Sequence, residues 1–228
     1  MAFAKSSVVV CLLSISSACH AASASPSGPP PPPTAASEAP PKAGAAPHVG
    51  TDPGHVSSGK LLTASGHDKL AAFAGGCFWG VEDAFRHVPG VVATAVGYAG
   101  GHTPNPSYEE VCTHTTGHAE TVLVEYDPTH LPYEQLLRVF WKIHDPTQGE
   151  RQGPDVGDSY RSVVFTFDAE QAAAARASEQ AEQKALDRPI TTEIRPIGAF
   201  YEAEGYHQQY AERTGHHGCS IRVPVDPL

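Results

Sequence analysis

From Ser25 to about Gly66 the chain is built largely from proline, alanine, glycine and serine, with an unbroken block at Pro29 to Pro33, and this run decides how much of the molecule can fold. Too few apolar side chains occur there to offset the entropy of ordering the backbone, so the stretch reads as an extended spacer with polyproline II character. Folding is thereby confined to residues 67–228, enough chain for one globular domain. Ahead of the spacer come Lys5, the apolar run Val8 to Ile15 and the small residues Ala22-Ser23-Ala24, the layout of an export signal cleaved after Ala24. Residues 1–24 are read as signal peptide, 25–66 as disordered linker and 67–228 as the folded domain. The apolar run is too short for a permanent membrane span. Acylation of Cys19, which follows Ala18, is the rival; it ranks second because Ser16 stands where such signals want an aliphatic residue. On either route the protein is exported, with a periplasmic location expected and a lipid anchor at Cys19 as the variant.

Within the domain, strand and helix patterns alternate. Lys69 to Ala74 reads as a strand running into Gly75-Gly76, and Phe78, Val81, Phe85 and Val88 recur at helical spacing up to Pro89-Gly90. Val91 to Tyr98 and Ala119 to Tyr126 are strand patterns, separated by the turn-rich loop His102 to Ser107. Pro132 suits the first turn of a helix whose face is Leu136, Leu137, Phe140, Trp141 and His144, and Trp141 is taken as plain core. Arg161 to Phe167 is a strand, Asp168 with Gln171 resembles a capping box opening an alanine-rich helix to about Leu186, and Ile190 to Ile197 is a final strand. About five strands and three helices predict an α/β domain of the α+β two-layer sandwich type, a mixed sheet covered by helices, with a glycine-rich coil C-terminal tail. A net charge of −10 without a basic run argues against nucleic acid or an anionic membrane as partner, and a monomer is expected.

Chemistry concentrates at Gly75-Gly76-Cys77-Phe78-Trp79-Gly80. A helix start presents unpaired N–H groups with partial positive charge, which lowers the pKa of a thiol placed there and makes it reactive. The bland alternative is a cysteine buried in a packed turn. Of five cysteines, Cys11 and Cys19 belong to the signal region, leaving Cys77, Cys112 and Cys219. An odd set in an exported domain suggests redox chemistry or a tolerated buried thiol rather than a static disulfide framework. No C-x-x-C, H-E-x-x-H or G-x-S-x-G occurs, and Cys112, His114 and His118 lie in loop rather than on a regular element, so neither a metal site nor a serine hydrolase is expected.

Seven separated motifs then point one way: G-C-F-W-G at 76–80, G-Y-A-G-G at 97–101, N-P-S-Y at 105–108, G-H-A-E at 117–120, H-D-P-T-Q at 144–148, Y-R-S at 160–162 and Y-H-Q-Q-Y at 206–210. In this order they resemble the peptide-methionine (S)-S-oxide reductases, the A-type methionine sulfoxide reductases, over about Ala72 to Cys219. The resemblance implies that Cys77 attacks the sulfoxide sulfur, that Glu120 is the acid protonating its oxygen, and that Tyr108 and Tyr160 hydrogen-bond that oxygen. Phe78 and Trp79 would hold the methyl group, with Asp155 a polar residue of the same pocket. Cys219 would resolve the sulfenic acid left on Cys77, and a thioredoxin-like protein would reduce the resulting disulfide, with no cofactor and no metal. The substrate would be (S)-methionine sulfoxide, free or in oxidised proteins under repair. For Glu120 to act so, burial must raise its pKa. Cys112 is taken as structural, and with no further cysteine after Cys219 a two-cysteine cycle is expected. Ser159 departs from the glutamine usual before the second tyrosine, which weakens the support expected for Tyr160. The competing functions are a general thiol-disulfide oxidoreductase or thiol peroxidase, and a tethered, non-catalytic binding module.

Overall fold

The structure is a computed structural model that describes residues 49–58 and 62–216. Strand β1 (Lys69–Gly75) sits inside a six-stranded sheet, flanked by β3 (Ala119–Tyr126) on one side and β6 (Ser162–Thr166) on the other, both antiparallel to it. Beyond β3 lies β2 (Val91–Ala99) and then the short edge strand β8 (Phe200–Glu202); beyond β6 lies β7 (Glu193–Pro196). The β6/β7 pair alone is parallel, its crossover made by helix α4 (Ala169–Gln183), so the sheet is mixed as expected. Helices α1 (Phe78–Arg86) and α3 (Tyr133–Ile143) cover one face, where Phe73 of β1 stacks on Phe85 and Phe140 with ring centroids 4.8 and 5.3 Å apart.

Alternation along β3 sorts its side chains between two cores. Val122, Val124 and Tyr126 belong to the helix side, and Ala119 and Leu123 to the opposite side with Phe165. Glu120 shares the helix side by this period and Glu125 the other. Both faces are buried, which a sheet with one wet face would not show. Residues assigned to the disordered linker lie against the sheet, Val49 on the helix-side core and Val56 and Leu62 on the second, which moves the expected domain boundary. Gly50 bridges to Ala93, Arg86 donates to the carbonyls of Val49 and Gly50, Glu125 accepts from the amides of Gly54 and Ser65, and Val56 and Leu62 pack on the second core. Composition missed this because the polar contacts are made by backbone groups, which proline- and glycine-rich chain still carries, and the apolar ones by a few isolated side chains such as Val56 and Leu62. The signal region, the rest of the linker and Cys219 lie outside the described residues.

Several local expectations are met in modified form. Pro132 is the N-cap of α3 rather than a residue of its first turn. Asp168 caps α4 by accepting from the Gln171 amide at 2.8 Å, but the Gln171 side chain accepts from Phe167 and donates to Leu70 of β1, tying helix to sheet instead of closing the box. Trp141 is buried, its indole N–H donating to Ser178 at 2.8 Å. Several short elements went unread: α2 (Tyr108–Val111), the ribbon β4 (Arg151–Gln152) with β5 (Asp155–Val156), and β8; α5 (Tyr210–Thr214) begins at the end of Tyr206 to Tyr210, a piece whose pattern reads as short helix or coil. For α2 a signal existed, since Ser107 and Glu110 form a full capping box. Among the described residues no helix is long and apolar enough to cross a membrane.

Candidate functional site

The turn from β1 into α1 depends on Gly76. Its φ of 104° lies in the region that glycine adopts without strain, and a β-carbon there would stand 2.7 Å from the Gln152 side chain. The turn delivers Cys77 to the N-cap of α1, where it is a buried thiol, 7 % exposed. Every residue of α1 is buried, so the thiol's setting is fixed from all sides. Phe78, the first residue of the helix, donates its N–H to Oε2 of Glu120 at 3.0 Å. Glu120 stands on β3 directly across from Tyr98 of β2, 3 % exposed. Burial pushes its carboxyl up to about 8, the Phe78 amide opposes that shift, and the neighbouring Asp155 charge adds to it. The carboxyl expected from sequence to be a buried acid is therefore predominantly neutral at pH 7.

Two phenols complete the polar wall. Tyr108 opens α2, which Cys112 closes; burial, and then Glu120, drives its pKa far up. Tyr160 ends the one-turn helix Asp158–Tyr160, and burial followed by the charges of Glu120, Cys77, Cys112 and Asp155 does the same. The Glu120 charge acts on both phenols and the Asp155 charge acts on Glu120, which itself bonds the helix that Cys77 caps, and both phenols stay protonated at neutral pH. Asp155 comes from β5, partly exposed. Burial also pushes the Cys112 thiol up.

Phe78 and Trp79 supply the apolar wall, 1 % and 5 % exposed. Behind them is a layer that reading of the sequence missed, although its motif at 206–210 was in view. Trp79 stacks on Tyr210 at 3.9 Å and donates its indole N–H to Nδ1 of His207 at 3.0 Å. The His207 ring also packs against Phe78 and Tyr108, at 5.1 and 4.4 Å. Burial pulls His207 down to about 4, so the ring is neutral at pH 7, and because Nδ1 accepts from Trp79 its proton sits on Nε2. Glu204 joins the two sides of the site, accepting from the Tyr98 hydroxyl at 3.0 Å and from the Tyr108 amide at 2.9 Å. It lies between the last strand pattern and the motif at 206–210, in a stretch to which the sequence reading gave no role.

Histidines weighed as metal ligands are engaged otherwise: His118 contacts the Gly101 amide and the Thr103 carbonyl, and His114 contacts Ser159. What the pocket offers is a nucleophile at a helix start, a neutral carboxylic acid joined to the same helix start, two phenols and an aromatic wall. That set suits a substrate with one strongly basic oxygen beside a small apolar group.

Comparison with known proteins agrees. The profile of the family described as peptide methionine sulfoxide reductase matches residues 69–226. The chain is 61 % identical over 147 residues to the peptide methionine sulfoxide reductase MsrA of Methanosarcina acetivorans, covering 64 % of this chain and 78 % of that one. It is 52 % identical over 173 residues to the enzyme of the same name from Pseudomonas aeruginosa, covering 73 % and 80 %. Among solved structures it is similar to methionine sulfoxide reductase A of Corynebacterium diphtheriae, with a TM-score of 0.63 and 40 % identity over 77 % of this chain and 88 % of that one. It is similar also to Mxr1 from Saccharomyces cerevisiae in reduced form, at 0.65 and 36 % over 69 % and 91 %.

Proposed function

The chain belongs to the peptide methionine sulfoxide reductase family and reduces methionine sulfoxide, and from that premise we propose how its own residues divide the work. One observation carries the assignment: Glu120, buried and neutral up to about pH 8, grips the first amide of the helix that Cys77 caps. An acid and a nucleophile are thus held on one rigid junction. The Cys77 thiolate attacks the sulfoxide sulfur while Glu120 protonates the oxygen, with Tyr108 and Tyr160 donating to that oxygen as its charge grows. The sulfur of the substrate gains two electrons and departs as the thioether. The oxygen, with the proton from Glu120, ends on Cys77 as a sulfenic acid.

The wall of Phe78 and Trp79 takes the methyl group, the phenols take the oxygen, and Cys77 faces the sulfur. Fixing three directions around a chiral sulfur admits one epimer, the (S) form in this assignment, whether the residue is free or in an oxidised protein. Cys219 then attacks the Cys77 sulfur, water leaves and a disulfide forms; a thioredoxin-like dithiol takes over that disulfide by exchange and restores both thiols. The balance is sulfoxide plus dithiol giving thioether, disulfide and water. Replacing Cys219 by serine is expected to leave a burst of one methionine per enzyme followed by arrest when thioredoxin is the reductant. Sustained turnover of Cys219→Ser with thioredoxin excludes Cys219 as the resolving thiol.

Export fits the same chemistry, because Lys5, the apolar run from Val8 and Ala22-Ser23-Ala24 precede the domain. The protein recovered from the cell envelope is expected to begin at Ser25. A diacylated Cys19 as its first residue selects the anchored form instead, and an intact Met1 rejects both.

A further inference from the structure

The loop between α2 and β3 reaches both phenols of the site. At its start Cys112 is the C-cap of α2, the helix that Tyr108 opens. Two residues on, His114 holds a left-handed backbone with φ 57°, a conformation that suits glycine and strains most other residues. Its imidazole is the surface against which the turn carrying Tyr160 is laid. A β-carbon on Gly157 would stand 2.1 Å from Cε1 of the ring, so the glycine backbone lies directly on it. Oγ of Ser159 is 3.2 Å from Nδ1, and Oδ1 of Asp158 is 3.5 Å from the same atom. The Tyr160 ring meets the imidazole edge-on, with centroids 6.1 Å apart. Four consecutive residues therefore rest on one side chain. Gly157, at φ 138° and ψ 159°, takes a shape open only to glycine in order to do so.

We infer that His114 is a positioning residue for Tyr160, setting where its phenol stands and hence how firmly the substrate oxygen is held. This rests on the assignment of Tyr160 as an oxygen-binding hydroxyl and deepens it. Ser159, whose short side chain promised weak support, gains its contact through His114. Oδ1 of Asp158 is buried without a hydrogen bond and faces Nδ1, which favours the tautomer with the proton on that nitrogen, shared between Ser159 and Asp158. The loop has a second fastening that does not involve the imidazole: Arg161 donates to the Asp158 carbonyl at 2.8 Å and to the Gly117 carbonyl at 3.1 Å. Removing the ring should accordingly loosen Tyr160 without releasing the loop.

His114→Gly tests this cleanly, because glycine relieves the left-handed strain while deleting the ring. Steady-state constants for N-acetyl-methionine (S)-sulfoxide are compared in the wild type, His114→Gly, Tyr160→Phe and the double variant, with thermal midpoints as the check on folding. His114→Gly is expected to keep the wild-type midpoint or exceed it and to raise KM about tenfold with kcat within about twofold, since the lost contact holds the ground state as much as the transition state. In the Tyr160→Phe background the same change should alter kcat/KM by less than about twofold, the coupling expected of a residue acting through another. His114→Asn, which tolerates the backbone and offers an amide to Ser159, should recover most of the KM. An unchanged KM in His114→Gly while Tyr160→Phe is impaired overturns the inference alone, as does an equal loss in both backgrounds. If Tyr160→Phe itself loses nothing, the role of Tyr160 falls and this inference with it.

Discussion

Cys77→Ser is expected to abolish methionine sulfoxide turnover, lowering kcat/KM by roughly 10⁴-fold or more, the scale on which deleting a catalytic nucleophile acts. Serine fills the site at almost the same volume, so its failure would not be one of packing. The difference is electronic. A thiol at the N-cap of α1 is a strong nucleophile toward sulfur once ionised, whereas a hydroxyl remains protonated there and is a far weaker one. Serine also has no sulfur to accept the oxygen, so no sulfenic acid forms and Cys219 has nothing to resolve. The rival functions separate on the same protein: an enzyme whose main business is disulfide or peroxide reduction would show those activities in the wild type at rates above its sulfoxide turnover. Residual sulfoxide reduction by Cys77→Ser within about tenfold of the wild type would move the nucleophile to another thiol, and Cys112 would be the first to examine.

Much of this arrangement was readable before any coordinates, and the parts that were not have physical reasons. Strand β3 runs Ala119–Tyr126, as its β-branched alternation indicated, because a strand buried by long neighbours is specified by its own residues. Helix α1 begins at Phe78 because Gly75-Gly76 precedes it and its apolar residues recur at helical spacing. Elements of two to five residues such as β5, β8 and α5 have no such internal signal; they exist because longer elements provide edges and faces for them. The linker's last residues were misjudged for a related reason, since backbone contacts with Arg86 and Glu125 leave no trace in composition. Cys77, Tyr108, Glu120, Asp155 and Tyr160 were proposed as site residues through the order of short motifs, and it is sheet register that sets Glu120 beside the Cys77 turn, through the Phe78 amide. Glu204 and His207 escaped because their importance lies in what they touch, Tyr98, Tyr108 and Trp79, all distant in the chain.

Glu120→Gln is expected to slow the single-turnover sulfoxide step by about 10² to 10⁴, the range over which a positioned general acid contributes. Glutamine can still accept from the Phe78 amide, so the junction with α1 survives and what is lost is the transferable proton. In the wild type the rate should fall as pH rises through about 8, where Glu120 ionises, and this descending limb should be missing from the variant. Stability supplies an independent check. A carboxyl whose pKa is raised on folding stabilises the folded state fully below its unfolded value near 4.5, and that contribution is lost as pH climbs to the folded value of about 8. Glu82, raised to about 7 chiefly by burial, acts in the same direction and completes its titration about one pH unit earlier. His144 and His207, lowered to about 4 by burial, act oppositely, favouring the fold above 6.5 and losing it toward 4. Between pH 7 and 8, then, Glu120 gives the larger share of the loss from buried carboxyls, at up to about 1.4 kcal/mol per pH unit, with a smaller remainder from Glu82. In a Cys77→Ser background, which removes the thiol's own titration, the parent should become easier to denature with urea across that interval and the Glu120→Gln protein should lose markedly less. A Glu120→Gln enzyme with an unaltered single-turnover rate and the same loss above pH 8 would take the proton donor away from Glu120.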